Sequence, residues 1–322
     1  MIINWLWTGL VLVVAMVAIG GITRLTHSGL SMVEWKLIGG TIPPIGEAEW
    51  QETFEKYKQF PEYKLHNEGM SLSEFKQIFF WEYLHRLLGK LIGLVFIFPF
   101  LYFLSKKWIS RDLGKKLVLL LLLGGLQGGL GWFMVKSGLV DRPAVSHIRL
   151  AIHLIAAFTL IGYIYWLILD LQRLRGTREK RISMLSKGML ALVVVQIVYG
   201  AFVAGLQAGY LCPTFPAMCG GFLSPTVGNM EFVSDPMNVQ FIHRMLGWLV
   251  FGYAILLWFK VRKSVVTNQV GNLLLFAVML QFALGVTTLV LHMPILVAVL
   301  HQVGAVFVFL LLLNLIRRAG AR

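Results

Sequence analysis

The chain contains eight histidines, and four of them stand where an imidazole is costly. His85, His153, His243 and His301 each fall a few residues inside a long apolar run. Two of these runs open alike. Trp81-Glu82-Tyr83-Leu84-His85-Arg86-Leu87-Leu88-Gly89 is echoed by Gln240-Phe241-Ile242-His243-Arg244-Met245-Leu246-Gly247. In both, a His-Arg pair precedes one apolar residue and then Leu-Gly. Ionisable side chains at the mouth of a membrane helix need a reason, and the same feature twice points to a duplicated unit with two copies of one site. One use of four such histidines is plain interhelical hydrogen bonding. Zinc would want three or four ligands, commonly with cysteine or carboxylate support. A proton relay would draw more on Asp and Glu, and Glu82 is the only acid expected well inside the bundle. A heme needs one axial ligand on each face, from facing helices. Four histidines make two such pairs, one per half.

Neighbouring residues fit the heme reading. Gly89 and Gly247 lie one turn beyond His85 and His243 on the same helix face; they leave room for a flat macrocycle or serve ordinary small-residue packing. Arg86, Arg149 and Arg244 stand near the outer interface, as candidates for heme propionates or as side chains snorkelling to headgroups. Glu82 shares a face with His85, while its counterpart is Gln240. That asymmetry suggests chemistry at the first site, with Glu82 placing a water or moving protons, and electron transfer at the second. The plainer alternative for Glu82 is a structural pair with an arginine.

These residues need helices to hold them. Of 322 residues, 57% are hydrophobic and 14% charged, with a mean hydropathy of +0.75. Soluble domains carry about 25% charged residues, so the composition predicts an all-α integral membrane protein. Eight spans are expected, near 4–22, 79–104, 116–135, 148–169, 187–206, 239–259, 270–291 and 295–316. The first reads as a retained span rather than a cleaved signal. The net charge of +14 does not point to nucleic acid, because it is confined to short segments. Lys106, Lys107, Arg111, Lys115 and Lys116 follow span 2. Arg173, Arg175, Arg178, Lys180, Arg181 and Lys187 follow span 4. Lys260, Arg262 and Lys263 follow span 6, and Arg317, Arg318 and Arg322 close the chain. By the positive-inside rule these segments and both termini are cytoplasmic. All four histidine-bearing spans then run inward, and their imidazoles lie roughly 6–9 Å below the outer boundary.

The outer loops differ. Residues 23–78 carry eight glutamates, Glu34 among them, and Trp50, Phe54 and Tyr57 at helical spacing predict an amphipathic helix near 46–60. Ser71 and Glu74 have capping-box spacing, so a helix starting there could run into span 2. The loop 207–238 holds both cysteines, Cys212 and Cys219. On the oxidising side a disulfide is expected, with two unpaired thiols as the alternative; C-x-x-C-H for covalent heme is absent. Gln127 with Gly131 resembles Gln281 with Gly285, and Gly20 with Gly29 resembles Gly200 with Gly209. The expectation is therefore two pseudo-symmetric four-helix bundles, residues 1–172 and 173–322, as a parallel repeat.

Several stretches resemble the heme A synthase family, near its mitochondrial and proteobacterial branch. They are Thr23-Arg24-Leu25-Thr26-His27-Ser28-Gly29-Leu30-Ser31-Met32, Pro61-Glu62-Tyr63-Lys64, Met70-Ser71-Leu72-Ser73-Glu74-Phe75-Lys76, the Glu82-x-x-His85-Arg86 motif, and His243-Arg244 with the span 8 histidine. The resemblance implies oxidation of a heme O methyl group to the formyl group of heme A, for terminal cytochrome oxidases. Carried over, His85 and His153 flank the substrate heme, Glu82 is catalytic, and His243 and His301 ligate a permanent heme b. It implies heme O synthase upstream, an electron donor and the cytochrome oxidase assembly pathway as partners; a homo-oligomer stays open. Some bacterial members carry a cysteine pair in the first outer loop, which is lacking here, so a structural role for Cys212 and Cys219 is favoured. A non-catalytic diheme electron-transfer cytochrome is the rival reading.

Overall fold

A computed structural model describes residues 1–33, 41–139, 144–173 and 176–320. Glu34, Arg175 and Arg322 of the expectations above lie outside the described residues. Among the described residues the regular structure is helical, apart from one isolated bridge between Met218 and Gly221. In chain order the α-helices are α1 (Ile2–Leu25), α2 (Glu47–Tyr57), α3 (Pro61–His66), α4 (Leu72–Ser105), α5 (Arg111–Leu139), α6 (His147–Leu171), α7 (Lys180–Gly205), α8 (Pro236–Val261), α9 (Asn268–Val290) and α10 (Ile295–Gly320). All but α2 and α3 are long and apolar enough to cross a bilayer. The shortest of these eight has 23 residues, and at 1.5 Å per residue it exceeds the hydrocarbon thickness of about 30 Å. The chain is a multi-pass membrane protein.

The helix starts follow local chemistry. α4 begins at Leu72, earlier than the apolar pattern predicts, because Ser71 and Glu74 form a capping box. The Glu74 N–H donates to Ser71 Oγ at 3.3 Å, and the Ser71 N–H donates to Glu74 Oε2 at 2.8 Å. His85 therefore stands well down α4, whereas His153, His243 and His301 lie within about two turns of their helix starts. At α8, Asp235 Oδ1 accepts from the Asn238 N–H at 2.8 Å, and Pro236 occupies the first turn where no N–H is needed.

The early start of α4 gives α2 and α3 something to pack on. Phe54 and Tyr57 stack on Phe75 at 4.9 and 5.1 Å, and Trp50 meets Phe79 edge-on at 5.0 Å. Phe54, Tyr57, Phe75 and Phe79 are all buried, and each buried aromatic stabilises by roughly 1.5–3 kcal/mol. Burial pushes the Tyr57 hydroxyl up to about 12, and that hydroxyl accepts from Asn67 Nδ2 at 2.7 Å. The amphipathic helix expected near 46–60 is α2.

By packing, the chain divides into two compact units, one of Val11–His153 and one of Met1–Leu10 with Leu154–Arg322. In the second, α7 packs on α8 and α10, and α9 packs on the same two helices, closing a ring of four. Gly162 of α6 admits the ring of Phe309 on α10; a Cβ there would lie 3.0 Å from it. In the first unit the main helix contacts are α4 on α5 and α2 on α4.

Candidate functional site

Each of the four histidines points at a glycine on a neighbouring span. A Cβ on Gly20 of α1 would lie 3.1 Å from His85 Nε2. One on Gly131 of α5 would lie 3.1 Å from His153 Cε1, one on Gly200 of α7 3.2 Å from His243 Cε1, and one on Gly285 of α9 2.8 Å from His301 Cε1. These glycines are needed because the imidazole sits in the space a side chain would fill. His85 and His153 lie within electrostatic reach of one another in the first unit. His243 and His301 do the same in the second. The four histidines thus form two pairs, and no group of three or more metal-ligating side chains occurs among the described residues.

One turn before three of these glycines stands a glutamine. Gln127 Nε2 donates to the His153 carbonyl at 3.1 Å and lies 3.3 Å from His153 Nδ1. Gln281 Nε2 donates to the His301 carbonyl at 2.8 Å. The Gln281 carbonyl accepts from His301 Nδ1 at 3.1 Å. A carbonyl can only accept, so Nδ1 carries the proton and Nε2 is left with its lone pair, the arrangement a metal ligand requires. Gln196 Nε2 is 3.5 Å from His243 Nε2. The Oε1 atoms of Gln127, Gln196 and Gln281 are buried without a partner. The internal repeat pairs Gln127 with Gln281, and Gln196 is the site residue which that pairing leaves out. The signal was present, since Gln-x-x-x-Gly occurs on three of the four odd-numbered spans.

The acidic and basic residues beside the histidines hold loop backbone. Glu82 is buried. Its Oε2 accepts from Ser31 Oγ and from the Met32 N–H, both at 2.8 Å, and its Oε1 pairs with Arg86 at 2.6 Å. Arg86 also donates to the Met32 carbonyl at 2.8 Å. The segment gripped in this way is the end of the Thr23–Met32 motif. The chain reverses there because His27 adopts a left-handed conformation (φ 53°). In the second unit Gln207, also at φ 53°, ends α7 in the same manner. Gln240 Nε2 and Arg244 Nη2 there both donate to the Cys212 carbonyl, at 3.3 and 2.7 Å, and Arg244 Nη1 reaches the Ala217 carbonyl at 3.4 Å. Arg244 Nε is buried without a partner. Arg149 donates to the Phe133 carbonyl at 2.9 Å and lies 3.9 Å over that ring.

Cys212 and Cys219 are disulfide-bonded, with Cα atoms 5.6 Å apart. Between them Phe215 stacks on Trp248 of α8 at 5.8 Å and meets Phe282 of α9 at 6.0 Å. The bridged loop is thereby fastened to α8 and α9 of its own unit.

Residues 3–313 match the family model COX15-CtaA, described as cytochrome oxidase assembly protein. Curated relatives named heme A synthase include those of Nitrosospira multiformis (46% identical, 95% of this chain and 89% of the relative), Flavobacterium psychrophilum (44%, 94% and 94%) and Paramagnetospirillum magneticum (44%, 99% and 93%). With matches of that length and identity, the chain belongs to the COX15-CtaA family of cytochrome oxidase assembly proteins.

Proposed function

We propose that this protein is a heme A synthase, an oxidoreductase that converts a methyl group of heme O to the formyl group of heme A. The observation that carries the reading is the pairing of half-buried imidazoles within each unit, every one seated against a glycine. A tetrapyrrole fits this donor set: it takes two imidazoles per iron rather than three or four ligands. The buried Oε1 atoms of the glutamines and Arg244 Nε retain hydrogen-bonding capacity toward a bound group. The relatives' name supports the same reaction.

In this reading His85 and His153 hold the substrate heme, and His243 and His301 hold heme b. The iron porphyrins supply the redox chemistry when bound. The protein orients them. The Gln281 carbonyl fixes His301 with Nε2 available, and Arg86, Arg149 and Arg244 place positive charge beside the sites for the propionates. Glu82, as catalytic group, would have to exchange its bond from Ser31 or Met32 for a water or a proton. Its present partners all belong to the loop it holds, and this occupancy favours, at that one residue, the rival reading of a diheme electron carrier. The organisation proposed from the repeat is two four-helix halves, 1–172 and 173–322, in parallel orientation with both termini cytoplasmic. It is supported by the basic segments after the even-numbered spans. Heme O synthase would supply the substrate, and a separate donor the electrons.

The test is extraction and chromatography of hemes bound to the purified protein, with and without co-expressed heme O synthase. Heme A or a hydroxylated heme O is expected with co-expression. Heme b alone under both conditions would leave the carrier reading, and a colourless protein would defeat both.

A further inference from the structure

The four odd-numbered spans present one motif to their histidines. In α5, α7 and α9 the residue four before the imidazole-facing glycine is Gln127, Gln196 or Gln281; in α1 it is Met16. Two of the carboxamides donate to the backbone carbonyl of the histidine they face, and the third lies against the ring itself. Met16 can do none of this. Its methyl group packs toward Gly89, where a Cβ would lie 3.2 Å away, in the place where Gln196 approaches Gly247 at 3.6 Å. Among the described residues no hydrogen bond is seen to the His85 ring, which rests against Gly20.

We propose that these four residues are positioning residues for the axial imidazoles, and that Met16 makes His85 the ligand that yields. The inference rests on the heme reading above. A ligand held by a second-shell hydrogen bond keeps its orientation and basicity; one held by van der Waals contact alone can rotate off its axis without breaking a bond to the protein. The first unit thus pairs His153, whose Nδ1 lies 3.3 Å from Gln127 Nε2, with an untethered His85; in the second, the backbone carbonyl of Gln281 holds His301 through Nδ1, and Gln196 Nε2 lies 3.5 Å from His243 Nε2. With heme bound, His85 would be the ligand freest to turn away, and His301 of the second unit would stay fixed by its Nδ1 bond. This is what a substrate site needs and an electron-transfer site must avoid.

The experiment uses the purified full chain with its hemes, reduced with dithionite and mixed with carbon monoxide, followed by visible spectroscopy. Wild type is expected to bind carbon monoxide at one heme of two. Met16→Gln should slow that binding by about threefold to tenfold, the worth of one added hydrogen bond, and Met16→Leu should leave it as in wild type. Gln127→Met should speed it. Wild-type rates in Met16→Gln with both hemes retained would overturn the inference while leaving the heme reading intact. Unchanged heme content in His85→Ala and His153→Ala would overturn the reading and the inference with it. If Met16→Gln does not accumulate as a folded protein, Gln127→Met decides: it removes the side chain beside His153 Nδ1 and should speed carbon monoxide binding at the first heme, and an unchanged rate overturns the inference.

Discussion

The two units solve one problem with different materials. Each must hold a loop against its helices using the residue three before a histidine and the residue just after it. In the Val11–His153 unit the grip is ionic, with Glu82 and Arg86 closing on Ser31 and Met32. In the other it is neutral and covalent, with Gln240 and Arg244 closing on the Cys212 carbonyl and the disulfide fixing that carbonyl's loop. The helices differ too: α7, α8, α9 and α10 close a ring, and no such ring appears among the main helix contacts of the first unit. An exchangeable ionic latch suits a site whose occupant enters and leaves. A closed ring with a bridged loop suits one whose occupant stays.

The largest effect expected of this difference is on heme retention. His301→Ala, in the closed ring, should remove heme b and lower heme A formation by on the order of 100-fold or more, since ligand and second-shell losses at metal sites commonly reach that range. Pyridine hemochrome assay of the purified protein should show one heme fewer per chain. In wild type, incubation with excess heme O in detergent should exchange the heme of the first unit and leave that of the second in place. Equal exchange from both units would erase the functional distinction.

Next is the latch itself. Glu82→Gln removes the carboxylate that Arg86 meets at 2.6 Å, and breaking such a pair costs about 3–5 kcal/mol. A fall of the unfolding midpoint and loss of heme A formation are expected together, read by thermal shift and by heme chromatography. Gln240→Glu should cost less, about 1–3 kcal/mol, because Arg244 gains a counter-ion while the Cys212 carbonyl loses one donor. If Glu82→Gln abolished heme A formation with an unchanged midpoint, the carboxylate would be acting on substrate rather than on the loop.

How much of this was legible follows the range of each interaction. The spans, α2 and the α4 capping box rest on periodicities and spacings within a few residues, and the sequence displays them directly. The partners of Glu82 do not show, because Ser31 and Met32 are some fifty residues away and become neighbours only when His27 turns the chain. The role of Gln196 was hidden for another reason. A glutamine in an apolar run is an ordinary event, and it gains meaning only beside the imidazole it faces. Arg86, Arg149 and Arg244 read as cations waiting for propionates. The structure gives each of them backbone carbonyls as well, a contact that charge patterning cannot foresee.

The disulfide ranks third. Replacing Cys212 and Cys219 by serine opens a short loop, and the loss is expected at about 2–4 kcal/mol, read as a lower midpoint in chemical denaturation. Phe215 would then be free to leave Trp248 and Phe282, so the fluorescence of Trp248 should change with it. The first unit should be unaffected: the carbon monoxide reactivity of its heme stays at the wild-type rate. A loss of that heme as well would show that the two loops are not independent latches.

The smallest effect concerns Glu62 on α3, which is buried with Oε2 unpartnered. Burial raises its carboxyl above the usual glutamate range, with the charge of His66 acting weakly the other way. A raised acid binds its proton more tightly in the folded state than in the unfolded one. Its contribution is therefore favourable below the ordinary glutamate value of 4.5 and is lost as pH climbs through the raised folded value. Glu62→Gln keeps the shape and removes the titration. The variant should match wild type at pH 4 and exceed it at pH 7 in the protection of α2 and α3 amides from hydrogen exchange. Among the described residues the second unit has no buried acid; its loop is closed by a bond that does not titrate. A pH dependence of exchange confined to α2, α3 and the first turns of α4 would therefore mark the ionic latch region as the adjustable one, and an equal dependence in residues 207–235 would remove that contrast.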